Sequence, residues 1–455
     1  MSALTCFKAY DIRGRLGIDL DAGIAYRIGC AFAEALDAKT VVLGRDVRAS
    51  SEELAANVAR GLTDAGCDVL DLGLAGTEEM YFATTHFKAD GGICVTASHN
   101  PMDYNGMKMV RAGSAPLDAA NGLARIKALA EKNEFAIADT AGVLRDVAAE
   151  ARVAYVDCMM SFVDLDALNP LKILVNAGHG TAGPTFDAIA SKLDSFGAPL
   201  TFERLFHAPD GTFPQGIPNP LLPENRPATA SAVIQSGADF GVAWDGDFDR
   251  CFFFDHSGNF IDGEYVVGLL AEAFLAKEPG AKIIHDPRII WNTQDIVTKA
   301  GGHAVQSPTG HAFIKQAMRD ENAIYGGEMS AHHYFRDFVF CDSGMIPLLL
   351  VAELVSRNGP LADLVAQRKI AFPSSGEINF SLDDPKAAIA RVRAEYAPHA
   401  MEIDETDGLG MIMGDWRFNL RSSNTEPIVR LNVEARGDAS LVSEGVARLT
   451  ALLVP

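Results

Sequence analysis

Three aspartates at alternate positions, Asp245, Asp247 and Asp249, follow the apolar run Val242-Ala243-Trp244 and precede Arg250. Hard carboxylate oxygens on a loop that leaves a buried strand suit Mg²⁺. An EF-hand would need glycine at the sixth loop position and glutamate at the twelfth, where this chain has Arg250 and His256. Three protein ligands leave room for a substrate or phosphoryl oxygen to complete the shell. A solvated acidic turn is the competing reading, and it rarely follows so apolar a run.

Three further loops carry reactive residue types. Thr96-Ala97-Ser98-His99-Asn100-Pro101 offers a serine that reads either as a nucleophile oriented by His99 or as a turn or N-cap residue. The glycines of a hydrolase elbow are missing, which leaves an acyl-transfer triad without support. Lys108, ten residues past Ser98, suits a phosphate ligand or proton shuttle. In Gly327-Glu328-Met329-Ser330-Ala331-His332-His333, Glu328 and Ser330 could bond sugar hydroxyls and His332 could move a proton near neutral pH. Adjacent histidines are as often simply satisfied core or surface residues. Arg421-Ser422-Ser423-Asn424-Thr425-Glu426-Pro427 has the donor-rich composition that holds a phosphate dianion, against the plainer reading of a polar hairpin turn. A formal G-x-G-x-x-G, Gly178 to Gly183, with Glu203 downstream, makes a dinucleotide oxidoreductase a rival. Asn176 and Ala177 separate it from the preceding strand, and the other loops do not serve hydride transfer.

The elements that must position these loops repeat. Apolar β-branched runs at residues 41–43, 172–175 and 282–284 each lead into a helical stretch, a glycine and a second short strand. Ser50 and Glu53 predict a capping box at the first such helix. Another buried strand then ends on a polar loop: residues 93–95 before Ser98, 240–244 before Asp245 and 323–325 before Glu328. The spacing is irregular, so this is no solenoid. It predicts three similar mixed α/β domains. From about residue 371, alternating strands at 377–382, 417–420 and 428–433, with helices at 385–396 and 440–453, predict an α+β domain. Residues 208–227, rich in proline and glycine, read as a long ordered loop. The domains fall at 1–153, 154–255, 256–368 and 369–455.

Composition sets outer bounds. The 455 residues are 48% hydrophobic and 22% charged, which excludes wholesale disorder. Thirty-nine basic against 60 acidic residues leave a net charge of −21. So acidic a chain is not built to coat nucleic acid or anionic membrane. Seven cysteines without a paired pattern predict a reducing compartment, and no leader or membrane span is evident, so a cytoplasmic protein is expected.

Taken together and in this order, the four loops resemble the α-D-phosphohexomutase family along nearly the whole chain, and the Glu328 loop is similar to its phosphomannomutase/phosphoglucomutase branch. Tyr10-Asp11-Ile12-Arg13-Gly14 and residues 176–183 also match family segments. The resemblance implies four domains around a central cleft. Ser98 would carry a phosphoryl group beside Mg²⁺ held by Asp245, Asp247 and Asp249, the phosphoserine oxygen completing the shell. Glu328 and Ser330 would read the 3- and 4-hydroxyls. Arg421, Ser423, Asn424 and Thr425 would grip the phosphate that is not reacting. Arg13, Lys108, Arg250 and His332 are implied in charge stabilisation and proton transfer. Tyr10, His99, Arg288 and the Thr309-Gly310-His311 loop are implied as substrate contacts. The family usually has glycine at Phe248, which should alter only loop packing, and some relatives have lysine at Arg288. A guanidinium there can hold phosphate but cannot share a base role.

The implied reaction is reversible phosphoryl transfer between C6 and C1 of hexose phosphates through a hexose 1,6-bisphosphate that turns end for end. Mannose and glucose phosphates are the expected substrates. A strict phosphomannomutase, a phosphoglucosamine mutase and an inactive sugar-phosphate binder are the alternatives. A monomer is expected, with domain 4 as a mobile lid.

Overall fold

A computed structural model describes residues 3–422 and 428–454. It comprises two compact units: Met1–Phe260 with His332–Arg357, and Ile261–Ala331 with Asn358–Pro455.

The first sheet contains β1 (Ile12–Arg15), β2 (Thr40–Arg45), β3 (Asp68–Leu74), β4 (Gly91–Val95), β5 (Tyr104–Arg111), β6 (Ala115–Pro116) and β7 (Leu144–Asp146). β3 and β4 flank β2 in parallel, and β4 pairs antiparallel with β5. Helices Ser51–Asp64 and Thr77–His86 provide the crossovers. The second sheet contains β8 (Leu171–Asn176), β9 (Leu200–Leu205), β10 (Phe240–Trp244), β11 (Cys251–Asp255) and β12 (Phe260–Ile261). It repeats the plan: β9 and β10 flank β8 in parallel, and β10 pairs antiparallel with β11. In the second unit, β13 (Lys282–His285) is likewise flanked in parallel by β14 (His303–Gln306) and β15 (Tyr325–Gly327). The first unit resumes with the antiparallel pair β16 (His333–Phe335) and β17 (Cys341–Asp342).

The repeat has a physical origin. Every residue of β4 and β10 is buried, as expected of strands covered on both faces by crossover helices. Chain leaving the carboxyl end of such a strand emerges where parallel sheets bind ligands. Ser98, Asp245 and Glu328 each follow one of these ends. Phe32, Ile28, Val41 and Ile93 centre the first core, each contributing about 1.5–3 kcal/mol by burial.

The last domain has a different plan. β18 (Ser374–Ser381), β19 (Glu402–Asp404), β20 (Leu409–Ile412), β21 (Trp416–Ser422) and β22 (Ile428–Ala435) form an antiparallel sheet of order β18-β22-β21-β20-β19. Helices Pro385–Tyr396 and Ala439–Leu453 pack on it over Phe418, Leu431, Val433 and Leu449. Asp384 and Asp438 cap these helices, accepting from the backbone N–H groups of Ala387 and Ser440 at 3.0 and 2.8 Å. The short strands β19 and β20 have no expectation in the sequence, because the polar run from Asp404 to Asp407 interrupts their pattern.

The predicted capping box is not formed. Ser50 has helical backbone angles and caps nothing; its Oγ accepts from Asn105 Nδ2 at 2.8 Å instead. The competing partner on β5 outbids the helix N-terminus. Among the described residues, no helix is long and apolar enough to cross a membrane.

Candidate active site

Ser98 lies just beyond β4 in the left-handed region, at φ 47°. A non-glycine residue there is strained, so its surroundings must hold it. Its N–H donates to Thr96 Oγ1 at 2.8 Å, and its carbonyl accepts from Arg48 Nη2 at 3.1 Å. The freed hydroxyl donates to Asp245 Oδ2 at 2.7 Å and lies 3.0 Å from His99 Nδ1. Ser98 does stand in a turn, closed by the Asn100 N–H on the Ala97 carbonyl at 2.9 Å, and its side chain in addition bonds an aspartate 147 residues away.

The aspartate loop converges on the same point. Ligand oxygens of Asp245, Asp247 and Asp249 lie within 4.8 Å of one another, and all three residues are buried. Lys108 Nζ donates to Asp247 Oδ2 at 2.8 Å and to Asp249 Oδ2. Arg250 folds back on Asp245 Oδ2 through Nε and Nη2, at 2.9 and 2.8 Å. Thr77 Oγ1 donates to Asp247 Oδ2 at 2.6 Å. Burial opposes the charge on Lys108, but Asp247 and Asp249 outweigh it and hold the ammonium above its usual range. Burial and then Asp247 push the Asp249 carboxyl up to about 7. Desolvation and then Arg250 hold the His99 imidazole well below its ordinary value, hence neutral. Three carboxylates here face the cations Lys108 and Arg250. Asp247 Oδ1 and Asp249 Oδ1 are buried without a hydrogen-bond partner among the described residues. Orphaned carboxylate oxygens of this kind fit a divalent cation.

The remaining residues of this unit surround that centre. Arg13, directly opposite Gly106 across β1 and β5, shares a sheet face with Lys108 and donates to the Thr96 carbonyl at 2.9 Å. His332 Nε2 is 3.7 Å from Asp249 Oδ1. His332, Asp249 and Asp342 also offer atoms within 4.8 Å of one another, so two buried carboxylates neighbour the imidazole. Tyr10 lies in the bend before β1.

In the second unit, Arg288 is buried and donates to Asp286 Oδ2 through Nη2 at 2.6 Å and to Ser330 Oγ at 3.1 Å. Glu328 Oε1 accepts from Gly310 N–H at 3.1 Å and lies 3.5 Å from Arg288 Nη2. Thr309 N–H donates to Asp407 Oδ2 at 3.2 Å, the oxygen that Arg421 Nη1 reaches at 3.4 Å. His311 opens helix His311–Asp320. Arg288, Thr309, Gly310, Glu328, Ser330 and Arg421 therefore share one network. Ser423, Asn424 and Thr425 lie outside the described residues.

Four sequence patterns described as phosphoglucomutase/phosphomannomutase domains match the chain in order. Alpha/beta/alpha domain I covers residues 5–137, domain II 153–258, domain III 262–370 and the C-terminal domain 377–452. A Salmonella typhimurium protein named phosphomannomutase is 60% identical over 100% of both chains. The chain belongs to the phosphoglucomutase/phosphomannomutase family. A phosphomannomutase of Escherichia coli K12 is 58% identical over 100% of both chains. The crystal structure of a phosphoglucomutase/phosphomannomutase family protein from Burkholderia thailandensis superposes with a TM-score of 0.87 at 32% identity, covering 100% of this chain and 99% of that one.

Family membership removes the dinucleotide reading, and the packing explains its glycines. A Cβ on Gly180 would lie 2.7 Å from the Gly246 carbonyl, and Thr181 N–H donates to that carbonyl at 3.1 Å. The glycine loop thus buttresses the aspartate loop of the phosphohexomutase site.

Phe248 occupies a left-handed position, at φ 47°, where a glycine would be unstrained. Its ring is fully buried against Gly76, where an added Cβ would approach Phe248 Cε1 to 2.0 Å. Gly76→Ala is therefore expected to cost about 1–3 kcal/mol and to weaken divalent-cation binding, since Phe248 sits between two of the aspartates. Thermal unfolding with and without Mg²⁺ checks this; an unchanged midpoint in both conditions refutes it.

Arg48 is absent from the sequence reading. Its buried guanidinium donates to the carbonyls of Ser98, Asn100, Pro101 and Tyr104 at 3.1, 2.5, 2.8 and 3.2 Å. One side chain thereby staples the whole serine loop of this phosphohexomutase. The only signal was charge directly after an apolar strand, in Gly44-Arg45-Asp46-Val47-Arg48.

Proposed function

We propose that this enzyme moves a phosphoryl group reversibly between C6 and C1 of mannose phosphates, and also of glucose phosphates, as an isomerase. The observation that carries this reading is Ser98 Oγ held 2.7 Å from Asp245 at the rim of a buried three-aspartate cluster. Phospho-Ser98 gives its phosphoryl group to the free hydroxyl of a hexose monophosphate. The Oγ–P bond breaks and a phosphorus–sugar oxygen bond forms; His332 takes the hydroxyl proton and releases it to water, and the leaving Ser98 Oγ takes a proton from water, so the net proton passes from sugar hydroxyl to serine. The resulting 1,6-bisphosphate turns end for end and returns its other phosphoryl group to Ser98.

Residue placement supports each role. Asp245, Asp247 and Asp249 would hold Mg²⁺, which when bound neutralises charge on the transferring phosphoryl oxygens. Lys108, Arg13 and Arg250 supply fixed positive charge, and positioning with electrostatics dominates such transfers. Glu328 and Ser330 bind the 3- and 4-hydroxyls. Mannose and glucose differ at C2, which neither contact reads, so both sugars are accepted. Arg421 with Ser423, Asn424 and Thr425 holds the distal phosphate in either orientation. The four ranges 1–153, 154–255, 256–368 and 369–455 thus bring, in turn, the serine, the metal ligands, sugar recognition and the phosphate grip. We infer a cytoplasmic monomer.

The test maps phosphate on the purified protein and assays mannose 1-phosphate and glucose 1-phosphate with the matching bisphosphate as activator. Phosphate on Ser98 and turnover of both sugars are expected. Chelation should abolish turnover and Mg²⁺ should restore it. Turnover of the mannose phosphate alone would narrow the enzyme to a strict phosphomannomutase. Turnover of neither would sink the proposal.

A further inference from the structure

The loop that carries Arg288 takes its backbone partners from the C-terminal domain. It leaves β13 after His285 and enters the helix Trp291–Lys299, whose N-cap, Ile290, has no side chain able to cap. The first N–H groups of a helix find no partner within it. Glu434 on β22 meets two of them: Oε1 accepts from Ile290 N–H at 2.7 Å and Oε2 from Trp291 N–H at 3.0 Å. A carboxylate also suits the positive end of the helix dipole. Arg417 on β21 stands directly opposite Glu434 in the strand register. Its Nη1 donates to the Arg288 carbonyl and its Nη2 to the Pro287 carbonyl, both at 3.0 Å. Nη1 also donates to Glu434 Oε1 at 2.7 Å, which locks the two side chains together.

Both residues are buried. A buried ion pair is weak evidence for stability, because desolvation offsets much of the attraction and apolar residues of similar volume often serve as well. What distinguishes this pair is where its bonds go. Two carbonyls and two N–H groups between Pro287 and Trp291 are tied down by one rigid unit more than 125 residues away. Pro287 brings no N–H of its own, so the loop has one donor fewer for local bonds. Arg288 is the residue so fixed. Asp286 orients its guanidinium, which reaches Ser330 Oγ at 3.1 Å, while Arg417 grips its carbonyl. A misplacement of about 1 Å in a substrate-positioning group can cost on the order of 10²-fold in rate.

We propose that Arg417 and Glu434 are a positioning pair for Arg288, through which the C-terminal domain sets the geometry of a loop in the domain before it. The inference rests on the phosphomutase reading above, in which Arg288 contacts the substrate, and adds two residues that act through Arg288.

A mutant cycle tests it, with steady-state kinetics on mannose 1-phosphate for wild type, R288M, R417M/E434M and the triple variant. The double variant removes both charges at once, so no unpaired charge stays in the core and the fold is expected to survive. It should lower kcat/KM about tenfold in the wild-type background and by less than about twofold once Arg288 is gone, because residues acting through a shared partner are not additive. Hydrogen exchange at the Ile290 and Trp291 amides should quicken in the double variant. Equal losses in both backgrounds would make the pair merely structural and overturn the inference, as would full activity of the double variant. If thermal unfolding shows that the double variant does not fold, E434Q, which keeps the side-chain shape and one carbonyl acceptor, goes through the same cycle and is judged by the same outcomes. Wild-type kcat/KM in R288M removes Arg288 from the site, and the inference with it, while leaving mutase turnover standing. No turnover by the wild-type enzyme defeats the phosphomutase reading and everything resting on it.

Discussion

Ser98→Ala is expected to abolish mutase turnover, by on the order of 10⁴-fold or more, while leaving sugar-phosphate binding nearly intact. The size follows from the absence of a substitute. Thr96, two residues before Ser98, is committed as acceptor to the Ser98 N–H, and His99 is a neutral ring 2.5 Å from Arg250 Nη2. Removing one hydroxyl deletes the bond-forming atom without disturbing Arg288, Glu328 or Arg421, which belong to the other unit. Quantitative phosphate analysis and calorimetry decide it: no phosphate on the variant, with a sugar-phosphate Kd within a few fold of wild type. Retained turnover would refute the nucleophile assignment.

Arg48→Met should be the most damaging change away from the reacting atoms. It strips one charged donor from four carbonyls of the serine loop and leaves Asp46, which bonds Ser51 Oγ at 2.5 Å, without its counter-charge. Breaking a buried pair on one side costs about 3–5 kcal/mol. The loss should depend on pH with a definite sign. Burial already raises the Asp46 pKa, with Arg48 as the largest opposing influence, so the variant raises it further. A carboxyl whose folded pKa exceeds its unfolded value penalises the folded state once pH rises above the unfolded value. The variant should therefore lose more stability at pH 8 than at pH 5, relative to wild type. Chemical denaturation at both values measures this. Arg48→Lys, keeping charge but not the fork, should recover stability before it recovers phosphorylation of Ser98. Equal losses at both pH values would reject the Asp46 account.

The same residues mark how far sequence reasoning reached. The aspartate loop and the serine loop were legible because each is a contiguous polar run at the end of an apolar strand, and strand periodicity is local. The repeated order of β2, β8 and β13 with their parallel neighbours was legible for that reason too. Ser50 misled because its sequence context was that of a cap, whereas Asn105, 55 residues away, supplied a better partner. Arg48 and Arg417 were missed because a lone arginine beside or within a strand carries no pattern; its meaning lies in which carbonyl or carboxylate folds against it.

From the sequence alone came candidates for chemistry: three closely spaced carboxylates, a serine at a strand end and a donor-rich polar run. Local spacing sets those properties, and a strand end displays them wherever it lies. Only the tertiary structure decided how the charges combine. Lys108 meets Asp247 and Asp249 from 139 and 141 residues away, and Arg417 comes to face Glu434 through strand register. A net charge of −21 could not foretell either. Coulomb energy depends on distance and on exclusion of water, and folding alone sets both.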